Sequence, residues 1–225
     1  MVCSDLFASE SSPRYKVLVD GPGGLSDVEL LAVFLRTGSP GKTAQALAQS
    51  LLDRFGGVSG LLYACADDFA GIRGMTGINR AALVSVLELV RRATGEQLKQ
   101  RDVFTSPDAV KHFLQLHIAR LPHEVFAVMF LDAQNRLIEM EVMFRGTLTQ
   151  TSVYPREIVK RALDHDAAAV IFSHNHPSGT TEPSKADEAL TVTLKQALAL
   201  VDVRVLDHVV VAPGMASSFA ETGLI

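Results

Sequence analysis

With 225 residues, 48% of them hydrophobic and 20% charged, the chain has enough apolar side chain for one or two packed domains and too little polar excess for general disorder. A net charge of -4 excludes a dedicated nucleic-acid binder, because neutralising phosphates takes clustered Lys and Arg, so any nucleic-acid contact has to be local. Cys3 and Cys65 form no CxxC pair, residues 1–10 lack a charged region followed by an apolar one, and no run approaches the roughly 20 apolar residues of a spanning helix. A reducing, cytoplasmic setting and no membrane partner are the expectation.

Residues 1–13 are Ser-rich and patternless, and order is expected from about Pro13. Gly21-Pro22-Gly23-Gly24 reads as loop. Ser26 with Glu29 has the form of a capping box and opens a helix over about 26–36 on Val28, Leu31, Ala32 and Leu35. A second helix, Thr43 to Phe55, stops at Gly56-Gly57. A short helical piece at Ala66 to Ala70 leads through Ile72-Arg73-Gly74-Met75-Thr76-Gly77 into a long helix from about Asn79 to Gln97. Residues 14–95 therefore read as a small all-helical domain, followed by a charged linker over 96–103.

From residue 104 the texture changes. Ser106-Pro107 starts a helix to Leu116, and Val125 to Leu131 is a β-prone run. After a turn at Asp132 to Asn135, alternating Ile138, Met140, Val142 and Phe144 complete a hairpin. A helix at 155–163, a buried strand at 167–172, a helix at 184–200 and a strand at 203–211 follow. Strands interleaved with helices give a mixed α/β domain over 104–225.

The chemistry concentrates in Ser173-His174-Asn175-His176-Pro177-Ser178-Gly179, directly after the strand Ala167 to Phe172. Alternate residues of a strand share a face, so His174 and His176 can aim at one point. Asp187 can supply a third ligand, and two nitrogens with one oxygen and an open position are the pattern of catalytic zinc. The same residues admit a plainer reading: Ser184 and Asp187, three apart at a helix start, also suit an N-cap and its N3 acid.

The joint spacing His174, His176, Ser184, Asp187 is that of the JAMM motif of JAB/MPN metalloproteases. Together with Phe144-Arg145-Gly146-Thr147, Val153-Tyr154-Pro155-Arg156-Glu157, Leu206-Asp207-His208-Val209, Leu25-Ser26-Asp27-Val28-Glu29-Leu30-Leu31 and Leu35-Arg36-Thr37-Gly38, it resembles the bacterial RadC family, historically labelled as DNA repair proteins. The resemblance covers about residues 14–225. It implies a C-terminal JAB/MPN α/β domain in which Zn2+ is held by His174, His176 and Asp187. It also implies a glutamate that takes a proton from water, with Ser184 steadying the oxyanion, and a peptide or isopeptide-like bond in an unidentified protein substrate.

In the superfamily the glutamate lies between the first helix and the first hairpin strand, which is the place of Glu124. Glu141, Glu139 and Glu157 are the alternatives. Asp207-His208 reads as a hydrogen-bonded pair supporting the fold or the ligands, and His112, His117, His123 and His165 as surface or capping residues.

Ile72 to Gly77 resembles a helix-hairpin-helix turn, in which backbone N–H groups at a helix start receive a DNA phosphate. Arg73, Arg80, Arg91, Arg92, Lys99 and Arg101 stand against Glu88 and Glu96 nearby, yet Thr76 replaces the usual second glycine. The rival reading is a repair-associated module with weak DNA contact through residues 72–92 and a structural or vestigial metal site.

Overall fold

The computed structural model describes residues 12–35, 43–100, 102–103, 107–146 and 153–225. Ser106, Thr147, the Arg36-Thr37-Gly38 stretch and most of the expected patternless start fall outside them. The chain divides into two compact units, Met1–Leu89 and Val90–Ile225.

The first unit is helical. α1 (Pro13–Val19), α2 (Asp27–Phe34), α3 (Ala44–Phe55), α4 (Val58–Leu62) and the first part of α5 (Gly77–Gln100) are joined by 3-10 turns at Pro22–Gly24 and Ala66–Phe69. Ser26 and Glu29 close the expected capping box on α2, and Gly56 ends α3 at φ 76°, a left-handed conformation that suits glycine. Leu35, Ala48, Leu51 and Phe69 are buried at the centre of its core. At the hairpin-like turn, the Thr76 hydroxyl accepts the Asn79 N–H and so caps α5 itself. Arg80 pairs with Asp67 at 3.3 Å.

α5 does not stop where the charge pattern suggested a linker. It runs to Gln100, and Leu98 and Val103 are buried in the second unit's core, with the Val103 N–H bonded to Asn135 O. Two apolar side chains among charged neighbours were enough to anchor the segment. Also unexpected were α1, α4, the short strand β5 and the closing turn α9, each too short to carry a period.

The second unit is built on a five-stranded mixed sheet. α6 (Pro107–Ile118) precedes the antiparallel hairpin β1 (Val125–Leu131) and β2 (Leu137–Arg145). α7 (Pro155–Asp164), β3 (Ala169–Asn175), α8 (Lys185–Ala199), β4 (Arg204–Ala212), β5 (Met215–Ser218) and α9 (Phe219–Thr222) follow. The spatial order is β2-β1-β3-β4-β5, with only β3 and β4 parallel, as their connection through α8 requires.

Strand parity sorts the core into two layers. Ala127, Met129, Leu131 and Ile171 face α6, whereas Phe126, Val128, Phe130 and Phe172 face α7 and α8. β1 and β3 are central and buried along their whole length, so their continuous apolar sequence is what a strand covered on both faces needs. Among the described residues, no helix is long and apolar enough to cross a membrane.

Glu141 on β2 is tied to α7. Arg161 Nε donates to it at 2.8 Å, Arg161 Nη2 makes a second contact, and His165 Nε2 lies at 2.9 Å. Arg161 foremost, opposed by partial burial and helped by His165, brings its pKa down from an ordinary 4.5 to about 2. A depressed carboxylate pKa stabilises the fold above the unfolded value and loses that contribution as pH falls toward the folded one. Urea unfolding from pH 5 down to pH 2 should therefore show about 1–2 kcal/mol of stability, after solvent screening, that the wild type loses and Glu141→Gln does not.

Candidate metal centre

β3 delivers the two histidines. His174 continues the face of Phe172 toward α8 and is 2% exposed. His176, just past the strand end, shares that face and is held by its N–H to Val211 O on β4. Pro177 then turns the chain, closed by the Gly179 N–H to His176 O at 3.0 Å.

Antiparallel pairing brings the third group. Phe126 stands opposite His174, so the residue two before it, Glu124, arrives beside His176. One ligand atom each from Glu124, His174 and His176 lies within 4.8 Å of the others. Asn175, between the histidines, points to the opposite face and fastens this junction. Its Oδ1 accepts the Val125 N–H at 2.7 Å, and its Nδ2 donates to Leu121 O and His123 O, both at 3.2 Å.

Asp187 comes from the first turn of α8, where it closes a capping box with Ser184. Its N–H is capped by Ser184 Oγ, while its Oδ2 accepts from the Ser184 N–H at 2.8 Å and from the hydroxyl at 2.6 Å. Its Oδ1 is left 3.6 Å from His174 Nε2. Burial raises the cost of the Asp187 charge, but the His174 imidazole and the Ser184 hydroxyl and N–H outweigh it and hold the carboxyl well below the usual carboxylate range. His174 Nε2 and His176 Nε2 face each other at 3.0 Å. The far side of His176 is fixed by Nδ1 to Thr180 O at 3.1 Å.

Residues 104–224 match the RadC-like JAB domain, and residues 6–82 match the UPF0758 N-terminal domain. A UPF0758 protein of Albidiferax ferrireducens is 61% identical over 96% of this chain and 97% of its own length. One of Variovorax paradoxus is 61% identical over the whole of both chains, and one of a Polaromonas species 57% identical over the same span. The chain belongs to the UPF0758 family, with a RadC-like JAB domain at its C-terminal end.

Within that domain the other sequence candidates separate cleanly. Glu141 is committed to Arg161 and His165 on β2 and α7. Glu139 is exposed and bonds the neighbouring Met140 N–H. Glu157 faces Arg156 and Lys160 on α7. Asp207 and His208 are not a side-chain pair. The Asp207 carboxylate accepts from the His208 and Ala220 N–H groups and from the Ser218 hydroxyl, anchoring β5 and α9. The His208 ring turns to the α8 face, where burial pushes its pKa well below the ordinary value and keeps it neutral. Of the remaining histidines, His117 donates Nδ1–H to Phe113 O on α6.

An open cleft of about 640 Å³ adjoins the ligand atoms and is lined by His123, Glu124, Arg145, His176, Pro177 and Ser178 among others. Arg145 Nη2 donates to His123 Nδ1 at 3.1 Å. Burial and the Arg145 charge hold His123 below its ordinary pKa, so Arg145 meets a neutral partner there.

Sequence reasoning passed over Asn175, because nothing in an HNH triplet shows that its middle residue bonds a segment 50 positions earlier. Replacing it by Ala strips partners from one buried N–H and two carbonyls, at about 1–3 kcal/mol for each group water does not reach. Chemical denaturation of Asn175→Ala is expected to show a loss of about 2–4 kcal/mol. A loss within 0.5 kcal/mol, the range of a neutral surface change, would contradict the clamp.

Proposed function

We propose that this protein is a zinc-dependent hydrolase of JAMM type acting on a peptide or isopeptide-like bond. The observation that carries the reading is the convergence of Glu124, His174 and His176 at the mouth of a cleft, with an ionised Asp187 beside His174. The donor set suits zinc. His176 gives its Nδ1 hydrogen to Thr180 O, so Nε2 is the ring nitrogen it turns toward His174, and imidazole with carboxylate is a borderline-soft combination. In this reading His174, His176 and Asp187 hold the ion.

When bound, zinc supplies Lewis acidity toward a carbonyl oxygen and acidifies water. The chain's own groups do the rest. Glu124, at the cleft wall, takes the proton of the attacking water and passes it to the leaving nitrogen. Ser184 donates to the charge that develops on the carbonyl oxygen. Its hydroxyl is bonded to Asp187 Oδ2, but its backbone N–H holds the same oxygen, so the hydroxyl can rotate toward substrate without releasing the carboxylate. Arg145 and the neutral His123 give the cleft a cationic wall near Glu124, which favours a substrate with an acidic or carbonyl-rich flank.

Protein purified without a histidine tag is expected to carry about one zinc per chain by elemental analysis, since the site described takes a single ion. His174→Ala and Asp187→Ala should lose it. Well-folded wild type that never takes up zinc defeats the proposal. In a screen of peptide and isopeptide conjugates, Glu124→Gln should keep the metal and slow any hydrolysis found by about 10²- to 10⁴-fold. A variant as fast as wild type removes Glu124 as the base.

A further inference from the structure

Arg145 is the last residue of β2, and the pairing of β1 with β2 carries it to the cleft. It stands opposite Val125, and the next residue, Gly146, gives its N–H to Glu124 O at 2.8 Å. The backbone bearing Arg145 is thereby bonded to the backbone bearing Glu124, and the two residues line one cleft with His176 and Ser178.

What sets Arg145 apart is the want of a counter-charge. Arg136, Arg156 and Arg161 in the same unit each meet a carboxylate. Among the described residues Arg145 meets none, and its hydrogen-bond partner is an imidazole, His123, whose Nδ1 accepts from Nη2 at 3.1 Å. The chain has a net charge of -4 and so more carboxylates than cations, yet this exposed arginine at the cleft wall is paired with none of them. The bond to His123 uses one of the five N–H donors of the guanidinium and leaves the rest. It also fixes one end of the planar group, so less rotamer freedom is lost when a ligand binds.

A guanidinium fork matches an anion that offers two oxygens side by side, which means a carboxylate or a phosphate. A phosphodiester chain is the poorer fit, because holding it takes clustered cations. Here a single arginine shares the cleft with Glu124, which repels a row of phosphates. One carboxylate matches one arginine.

We infer that Arg145 is a specificity-determining residue that takes a carboxylate of the substrate, from an acidic side chain or a chain terminus, beside the bond to be cleaved. The inference rests on the hydrolase reading for that bond but not for the recognition. Because the segments bearing Arg145 and Glu124 are bonded to each other, a substrate gripped by the first arrives in fixed register with the second. A cation at that place in the substrate meets like charge and is rejected.

The test uses the metal-free full chain, so that zinc cannot supply the carboxylate's partner, and short N-acetylated peptides of one neutral sequence. Three have amidated ends and carry Glu, Gln or Lys at a central position; a fourth carries Gln and a free C-terminal carboxylate. In NMR titrations followed at the backbone amides around the cleft, the Glu peptide, the free-carboxylate peptide or both should bind about 3- to 10-fold more tightly than the amidated Gln peptide. Whichever does so names the source of the carboxylate, and the Lys peptide should bind most weakly. Arg145→Glu should reverse the order in favour of the Lys peptide, a result that misfolding cannot produce. Lys195→Glu, an equal change of net charge on the exposed side of α8, should leave the wild-type order in place. Equal binding of all four peptides, binding of none, or an order that Arg145→Glu does not alter overturns the inference. Acidic peptides that bind through Arg145 but resist cleavage by the zinc-loaded chain tell against the hydrolase reading and leave the role of Arg145 standing. Cleavage of the Glu and Gln peptides at equal rates, unaffected by Arg145→Glu, does the reverse.

Discussion

The antiparallel pairing of β1 with β3 is the constraint on which the rest of the second unit depends. Its register, Phe126 opposite His174, is what turns two stretches of sequence 50 residues apart into one site. A slip by a single residue would exchange the two faces of β3. His174 and His176 would then enter the apolar layer under α6, and Ser173 and Asn175 would face α8. Asn175 opposes that slip, because its amide meets the Val125 N–H and the carbonyls of Leu121 and His123 in this register. The residue between the two histidines works on the opposite face of the sheet from theirs, holding the strand while His176 lines the cleft.

The second contribution comes from α8, whose first turn serves two purposes with one carboxylate. A capping box needs one oxygen of the N3 acid, and Asp187 gives Oδ2 to Ser184. The remaining oxygen is thereby oriented, toward His174. The positive end of the helix also favours the ionised form. Capping and ligation were rival readings of the Ser184 and Asp187 spacing, yet a carboxylate has two oxygens, and the cap uses only Oδ2, which leaves Oδ1 on the His174 side.

How much of this was readable in the sequence follows from the range over which each signal acts. The shared face of His174 and His176 is a two-residue matter and follows from strand parity. The mixed α/β class follows from apolar runs a few residues long. The family resemblance put Glu124 ahead of Glu141, but where the two carboxylates go could not be read locally: Glu141 is tied to Arg161 and His165, partners 20 and 24 residues away on another element. The hydrogen bond between His208 and Thr191 spans 17 residues and the parallel crossover between β3 and β4, so no window of sequence contains it. Charge counting misjudged residues 96–103, because a helix end is anchored by what Leu98 and Val103 touch and not by the charges between them.

The placement of polar side chains inside the sheet gives the arrangement its logic. Ser173, His174, Asn175, Thr191, His208 and Ser218 are all nearly or wholly buried, at the same end of the sheet where apolar residues would pack more simply. Such a set is destabilising if any member lacks a partner and rigid if none does. Here each is bonded: Ser173 to Val209 O, Ser218 to Asp207, Asn175 through its clamp, and His174, His208 and Thr191 to one another. Neither His208 nor Asn175 can rotate without leaving a buried group unpaired. The interior therefore holds His174 and Asn175 from behind, and room for side chains to move is left on the cleft side, which Pro177, Ser178 and Arg145 line.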